Sequence, residues 1–313
     1  MAKRLDFATT MVESQSYVGE QALEYILACF LKNKTADVPG VRIVTDIIKS
    51  AFVAKLKGTD LVACGNNCTF TPSGTITSSE AELVPCTMYI NIELCYKDLV
   101  GIWNGLQSGN LNTQNLGTDF NRALLEVLTS TMSENFEDVI WNGSTSGATG
   151  KTLTGCTCAV AGIDAGITTH KLHTTGVTIT KANIVGYVDQ LMAELPVCVL
   201  ENMETVNIWM NPKTALYYKQ SLMTLGINTP NDSPLLTYDG VKINVIGKIK
   251  DNAMYAFNPD NLAIGVGAMD NFSSVSVLDM RQHTLDNSIR AAIQGKVDVK
   301  LIYEAEAAKL GTA

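Results

Sequence analysis

From Met88 to Tyr96 every second residue is apolar, and this alternation constrains the chain more than any other feature. Met88, Ile90, Ile92, Leu94 and Tyr96 fall on one side of an extended strand, and Tyr89, Asn91, Glu93 and Cys95 on the other. Such a segment reads as a half-buried antiparallel strand. Upstream, 61–71 is also extended and runs into a Pro72-Ser73-Gly74 turn, after which 83–96 returns. The expectation is a long two-stranded arm over 61–103. A hairpin of that length cannot bury its apolar face on its own. It needs a surface to lie on, and a neighbouring copy of the chain supplies one. Assembly rather than catalysis is therefore the first expectation.

Composition points the same way. Of 313 residues, 46% are hydrophobic and 17% charged, against roughly 25% charged in an average soluble domain. Sparse charge leaves more neutral or apolar surface, which partners often cover. The net charge of −8 and the lack of a Lys/Arg run leave no basic footprint for sequence-specific nucleic-acid binding. The start, Met1-Ala2-Lys3-Arg4-Leu5-Asp6, has no apolar signal core, and 25–31 is too short to span a membrane. A chain made in the cytosol and retained there is expected.

The remaining pattern is α+β. Residues 17–31 show helical spacing through Leu23, Ile26, Leu27 and Phe30, and 41–54 is more extended. The longest helix is capped at Thr118 or Asp119 and carries Phe120, Ala123, Leu124, Val127, Leu128, Met132, Phe136, Val139 and Ile140 at a 3.6 period. It stops at Asn142-Gly143. At 1.5 Å per residue it is a rod of about 35 Å. Residues 143–180 read as a strand-rich loop, 180–195 as a helix stopped by Pro196, and 213–225 as a helix ended by Gly226. Strands are expected at 206–210, 241–246, 254–257, 261–266, 274–278, 289–293 and 297–303.

Chemical motifs are weak. Gly147-Ala148-Thr149-Gly150-Lys151-Thr152 approaches a phosphate loop, but Thr145 stands where its first glycine belongs and a helix precedes it. Gly265-Val266-Gly267 lacks the third glycine of a dinucleotide fingerprint, because Asp270 occupies that place. His170, His173 and His283 have no companion carboxylate at metal spacing, so no metal site is expected. Cys64, Cys68, Cys86 and Cys95 do not follow a zinc ribbon or finger. They read, with Cys29, Cys156, Cys158 and Cys198, as reduced packing thiols, a disulfide formed after release into an oxidising medium being the lesser alternative. Neither a nucleophile elbow nor a paired acid and base is visible. No cofactor and no catalytic residue is expected, and the chain reads as a non-enzyme. A nucleotide-binding enzyme using Lys151 is the alternative of another class.

The ordered set of segments resembles tailed-bacteriophage major capsid proteins. Cys68-Thr-Phe-Thr-Pro-Ser-Gly74, Leu83-Val-Pro85, Asn91-Ile-Glu-Leu-Cys95-Tyr-Lys-Asp-Leu99 and Trp103 resemble their extended loop. The helix ending in Trp141-Asn-Gly143 resembles the spine helix. Trp209-Met-Asn-Pro-Lys-Thr214, Tyr238-Asp-Gly-Val-Lys-Ile-Asn-Val245 and Asn258-Pro-Asp-Asn-Leu262 resemble the axial domain, and 286–304 the returning last strand. The resemblance implies the Hong Kong 97-type capsid fold. It would comprise an N-terminal arm and helix (1–56), an extended loop (57–97), a peripheral domain with the spine helix (98–180), an axial domain with a mixed sheet (181–280) and a return to the peripheral domain (281–313). It further implies hexamers and pentamers of the chain in an icosahedral virion shell around double-stranded DNA, assembled in the bacterial cytoplasm without a membrane. Scaffold, portal and decoration proteins are implied partners, the scaffold being separate or already removed because only 1–40 precede the fold. Phe70, Pro72, Ser73 and Gly74 at the loop tip are the implied contact with the next subunit. An encapsulin-like compartment is the alternative on the same fold.

Overall fold

The computed structural model describes residues 15–18, 34–59, 62, 74–95, 118–143, 162–173, 176–226, 236–267, 274–280 and 286–311. In chain order the strands and helices are β1 (Gln15–Val18), β2 (Arg42–Ile47), β3 (Ala51–Thr59), β4 (Thr75–Leu83), β5 (Cys86–Cys95), α1 (Thr118–Asn142), α2 (Ile163–Gly166) and β6 (His170–Leu172). There follow α3 (Ile184–Ala193), α4 (Val197–Leu200), β7 (Asn207–Met210), α5 (Pro212–Thr224), β8 (Leu236–Tyr238), β9 (Val241–Val245) and β10 (Met254–Phe257). The last are β11 (Leu262–Gly267), β12 (Ser274–Asp279), β13 (Ser288–Leu301) and β14 (Ala308–Leu310). Cα proximity divides the chain into two compact units, and both α1 and β13 contribute residues to each.

The first unit comprises Met1–Lys32, Thr87–Asn135 and Met269–Lys296. β1 pairs antiparallel with β12, β12 antiparallel with β13, and β5 also joins β13. Along β13, Ile289, Ala291 and Ile293 are buried while Arg290 is exposed, the period-two signature of a strand covered on one side. β5 follows the expected alternation where its side chains are described: Ile92 and Leu94 are half-buried, and Asn91, Glu93 and Cys95 exposed. Glu93 accepts hydrogen bonds from Ser288 Oγ (2.8 Å) and Arg290 (3.3 Å), tying β5 to β13. In this part of α1 the buried stripe runs through Leu125, Leu128 and Met132. Val127, expected in the stripe, is exposed. A helix has 3.6 residues per turn, so Leu125 lines up with Leu128 and Met132 where Val127 cannot.

The second unit comprises Asn33–Cys86, Phe136–Ala268 and Val297–Ala313. Its larger sheet has the order β6-β14-β10-β7-β9-β8. One face carries Ile208, Met210, Val241, Ile243, Met254, Ala256, Ala308 and Leu310, packed with Ile184, Val188 and Leu191 of α3 and with Ala215 and Tyr218 of α5. Local rules place these helices. Asn211 caps α5 by accepting from Thr214 N–H at 2.9 Å, and Pro212 follows at the first helical position. Asp239 and Gly240, both at positive φ, turn β8 into β9 as a two-residue hairpin.

The opposite face of that sheet is aromatic and polar. Register sets Lys309, Tyr255, Trp209 and Asn244 side by side across β14, β10, β7 and β9. Trp141, at the end of α1, lies 5.2 Å from Tyr255 and 5.4 Å from Trp209, ring centre to ring centre. Its indole N–H donates to Thr35 Oγ1 (2.9 Å), and that hydroxyl donates to buried Glu137 (3.3 Å). The 34–38 turn is thereby fastened to the helix end. Burial pushes the Glu137 carboxyl up, against the bonds from Thr35.

Also in this unit, β11 pairs with β2, parallel to it, and with the end of β13, antiparallel. The expected 289–293 and 297–303 strands are one continuous strand, β13. The helix expected over 17–31 begins differently, since Tyr17 and Val18 belong to β1, and 19–33 lie outside the described residues. The strand-rich reading of 143–180 missed α2, and Pro196 is followed at once by α4. In both cases short helical turns lack the length that makes a 3.6 period visible.

Candidate functional site

β3 and β4 form a two-stranded ribbon, paired from Ala51↔Leu83 to Thr59↔Thr75. Residues directly opposite each other share a side. At the root, Leu83 and Ala81 are buried with Ile47, Ala263 and Ile302, and Ala51 and Val53 are half-buried against them. On the other side every residue is exposed: Phe52, Ala54, Leu56, Gly58, Ile76, Ser78, Glu80 and Glu82. Phe52 is 64% exposed, Leu56 71% and Ile76 67%. A row of three large apolar side chains with two acids beside it is therefore uncovered within the chain.

The root is built tightly. Gly265 of β11 lies beneath it, where a Cβ would come within 2.8 Å of Ile47 Cδ1 and 3.3 Å of Leu83. Asp298 of β13, opposite Gly265 in register, accepts from Val84 N–H at 2.8 Å and from Val299 N–H at 2.8 Å. Burial pushes its carboxyl above the ordinary value, against these two donors and Lys300.

The arm expected over 61–103 is thus placed differently. The strand paired with β4 is Ala51–Thr59, and β4 ends at Leu83; apart from Val62, the expected outgoing run 61–71 lies outside the described residues. Pro85 has no N–H to continue the ladder, and β5 beyond it pairs with β13 instead. The alternation, as far as Cys95, belongs to that other sheet. Of the expected tip, Gly74 is exposed with φ 73°; Phe70, Pro72 and Ser73 lie outside the described residues.

Other candidate groups fall into structural settings. Cys86 is disulfide-bonded, which corrects the reading of it as a reduced packing thiol; Cys95 and Cys198 carry no disulfide and are exposed rather than buried. Apolar strand context had favoured buried thiols. His170 Nδ1 lies 3.4 Å from Glu194, and His173 Nε2 lies 2.8 Å from Gln190. Among the described residues no group of three His, Cys, Asp or Glu could hold a metal, and no helix is long and apolar enough to cross a membrane. Lys151 and His283 lie outside the described residues.

Sequence reading missed a buried ion pair. Lys309 Nζ donates to Asp164 Oδ1 (2.9 Å) and to the Asp164 carbonyl (2.6 Å). Tyr255 OH donates to the same Oδ1 (3.1 Å), and Lys250 lies 3.6 Å from Oδ2. Burial alone would raise the Asp164 carboxyl; Lys309, with Lys250 and Tyr255, brings it below the ordinary value. The pair pins α2 to the larger sheet. A lysine in a short apolar strand, Ala308-Lys309-Leu310, was its only sequence signal.

No sequence family and no curated protein sequence matches the chain. Solved structures do. A chain of the satellite phage P4 procapsid that includes the size determination (Sid) protein matches with a TM-score of 0.63, at 10% identity over 92% of this chain and 89% of that one. A chain of the capsid of a native GTA particle gives 0.57, at 12% identity over 91% of each. A chain from Mycobacterium phage Che8 gives 0.50, at 14% identity over 84% of each. At these identities the likeness is one of architecture. The chain has the α+β Hong Kong 97-type fold found in tailed-phage capsid proteins.

Proposed function

We propose that the chain is a structural shell subunit, the major capsid protein of a tailed phage, whose activity is self-assembly. The uncovered side of the β3–β4 ribbon carries this reading. Phe52, Leu56 and Ile76 stand in water on a ribbon too narrow to cover them. Burying each against a second copy contributes about 1–2 kcal/mol. Closed symmetry then repeats that gain at every contact. Glu80 and Glu82 beside the row select a neighbour of opposite local charge.

The finer reading is hexamers and pentamers closing an icosahedral shell around double-stranded DNA in the host cytoplasm, with scaffold, portal and decoration proteins as partners. In this scheme the β3–β4 ribbon belongs to the extended loop, and Phe70, Pro72, Ser73 and Gly74 touch the next subunit. The architecture and the phage capsid likenesses support it. The test replaces Leu56 and Ile76 together by Asp. Circular dichroism and melting should match the parent, because both positions are exposed, while negative-stain microscopy should show no shells. Parent-like shells from that variant would remove the ribbon from the mechanism. Nuclease-protected DNA in particles from infected cells tests the genome-enclosing part.

A further inference from the structure

The outer side of α5 is a second uncovered surface. The helix buries Thr214, Ala215, Tyr218 and Ser221. Leu216, Met223 and Leu225 are each more than half exposed. Leu216 and Met223 are two turns apart and lie on one line, with Lys219 between them. Lys219 makes no ion pair among the described residues, whereas Lys213 on the preceding turn is engaged by Asp251 at 3.2 Å. A surface of matching character lies in the same unit. Val197, which opens α4, is 73% exposed, and Glu201 and Glu204 just after it are exposed and also unpaired among the described residues.

We propose that the α5 stripe of one copy docks on the Val197–Glu204 segment of the next, Lys219 facing Glu201 and Glu204. One surface offers apolar side chains and a cation, the other an apolar side chain and two anions, and the same chain carries both. A head-to-tail contact between copies satisfies both and generates a ring when its rotation closes. The inference rests on the shell reading above and names a contact that reading leaves open.

A charge swap tests it on the full chain. Lys219→Glu, and separately Glu201→Lys with Glu204→Lys, should each lower the yield of rings and shells about tenfold or more, because like charges then meet at the contact. The combined triple variant should recover most of the parent yield, read by size-exclusion chromatography and negative-stain microscopy. Melting curves confirm that each variant folds. Parent-like assembly of both reversed variants overturns the contact and leaves the surface to another occupant. Loss without recovery in the triple variant overturns the pairing. A parent chain that stays monomeric overturns the shell reading itself, and this contact with it.

Discussion

Buried ionisable residues fix this protein's response to pH, and they pull in opposite directions. Asp298 and Glu137 have carboxyls raised by burial. Each binds its proton more tightly folded than unfolded. Its contribution to stability is therefore full below its ordinary value, 3.8 or 4.5, and is lost as pH rises through the raised folded value. Asp164 is lowered, so its contribution is present above 3.8 and is lost as pH falls through the lower folded value. Replacing Asp298 by Asn should remove one slope: as pH falls towards 3.8, denaturant unfolding should show the parent gaining stability relative to the variant. A difference between the two that stays flat across that window counts against the buried, ionised Asp298. Lys309→Met strands the Asp164 carboxylate in the interior, at a cost of about 3 kcal/mol, the low end for a broken buried pair because Lys250 and Tyr255 remain. Adding Asp164→Asn should recover part of that loss. A double variant no more stable than the single one would argue against an electrostatic origin.

Elements meet at positions that allow little substitution, and the ribbon root is the clearest. A methyl at Gly265 collides with Ile47 Cδ1, the far end of a flexible side chain. Gly265→Ala should therefore cost about 1–3 kcal/mol. Ile47→Val, alone about 0.5–1.5 kcal/mol, deletes the colliding atom, so the double variant should lose less than the two single losses added. Simple additivity in urea unfolding would show that the ribbon is not seated on this glycine. Legibility in the sequence follows the same scale. Short apolar runs and 3.6 patterns between clear stops place β7, β10, α5 and the Asn142-Gly143 end of α1 within a residue or two. The alternation at β5 was also read correctly as a half-buried strand. Its partner was not, because hydrogen-bond pairing depends on a strand nearly two hundred residues later in the chain, Ser288–Leu301. Of the strand Ala51–Thr59 only the first residues fall in the extended 41–54 reading; the rest carries no core signal because Phe52, Ala54 and Leu56 alternate towards water rather than towards a core.

For the whole molecule, charge and apolar surface compete. Each copy carries a formal net charge of −8, so like-charged subunits repel at a distance. Raising salt from about 0.01 M to about 0.15 M shortens the screening length from about 30 Å to about 8 Å. Exposed contact pairs contribute at most about 1 kcal/mol each, so relief of the long-range repulsion should dominate. Sedimentation velocity should show more assembled material at the higher salt. A yield that falls with salt would make pairwise charge contacts, rather than apolar burial, the main drive. The larger sheet also sets an order of events. β14 lies inside it, between β6 and β10, and β6 has no other strand partner among the described residues. On a ribosome, 170–172 must wait until 308–310 have emerged before the sheet can close, and the core that Ala308 and Leu310 complete waits with them. A growing chain therefore cannot complete the core beneath α5 until its late strand β14 has emerged, so in the proposed shell subunit supply would be separated in time from subunit joining.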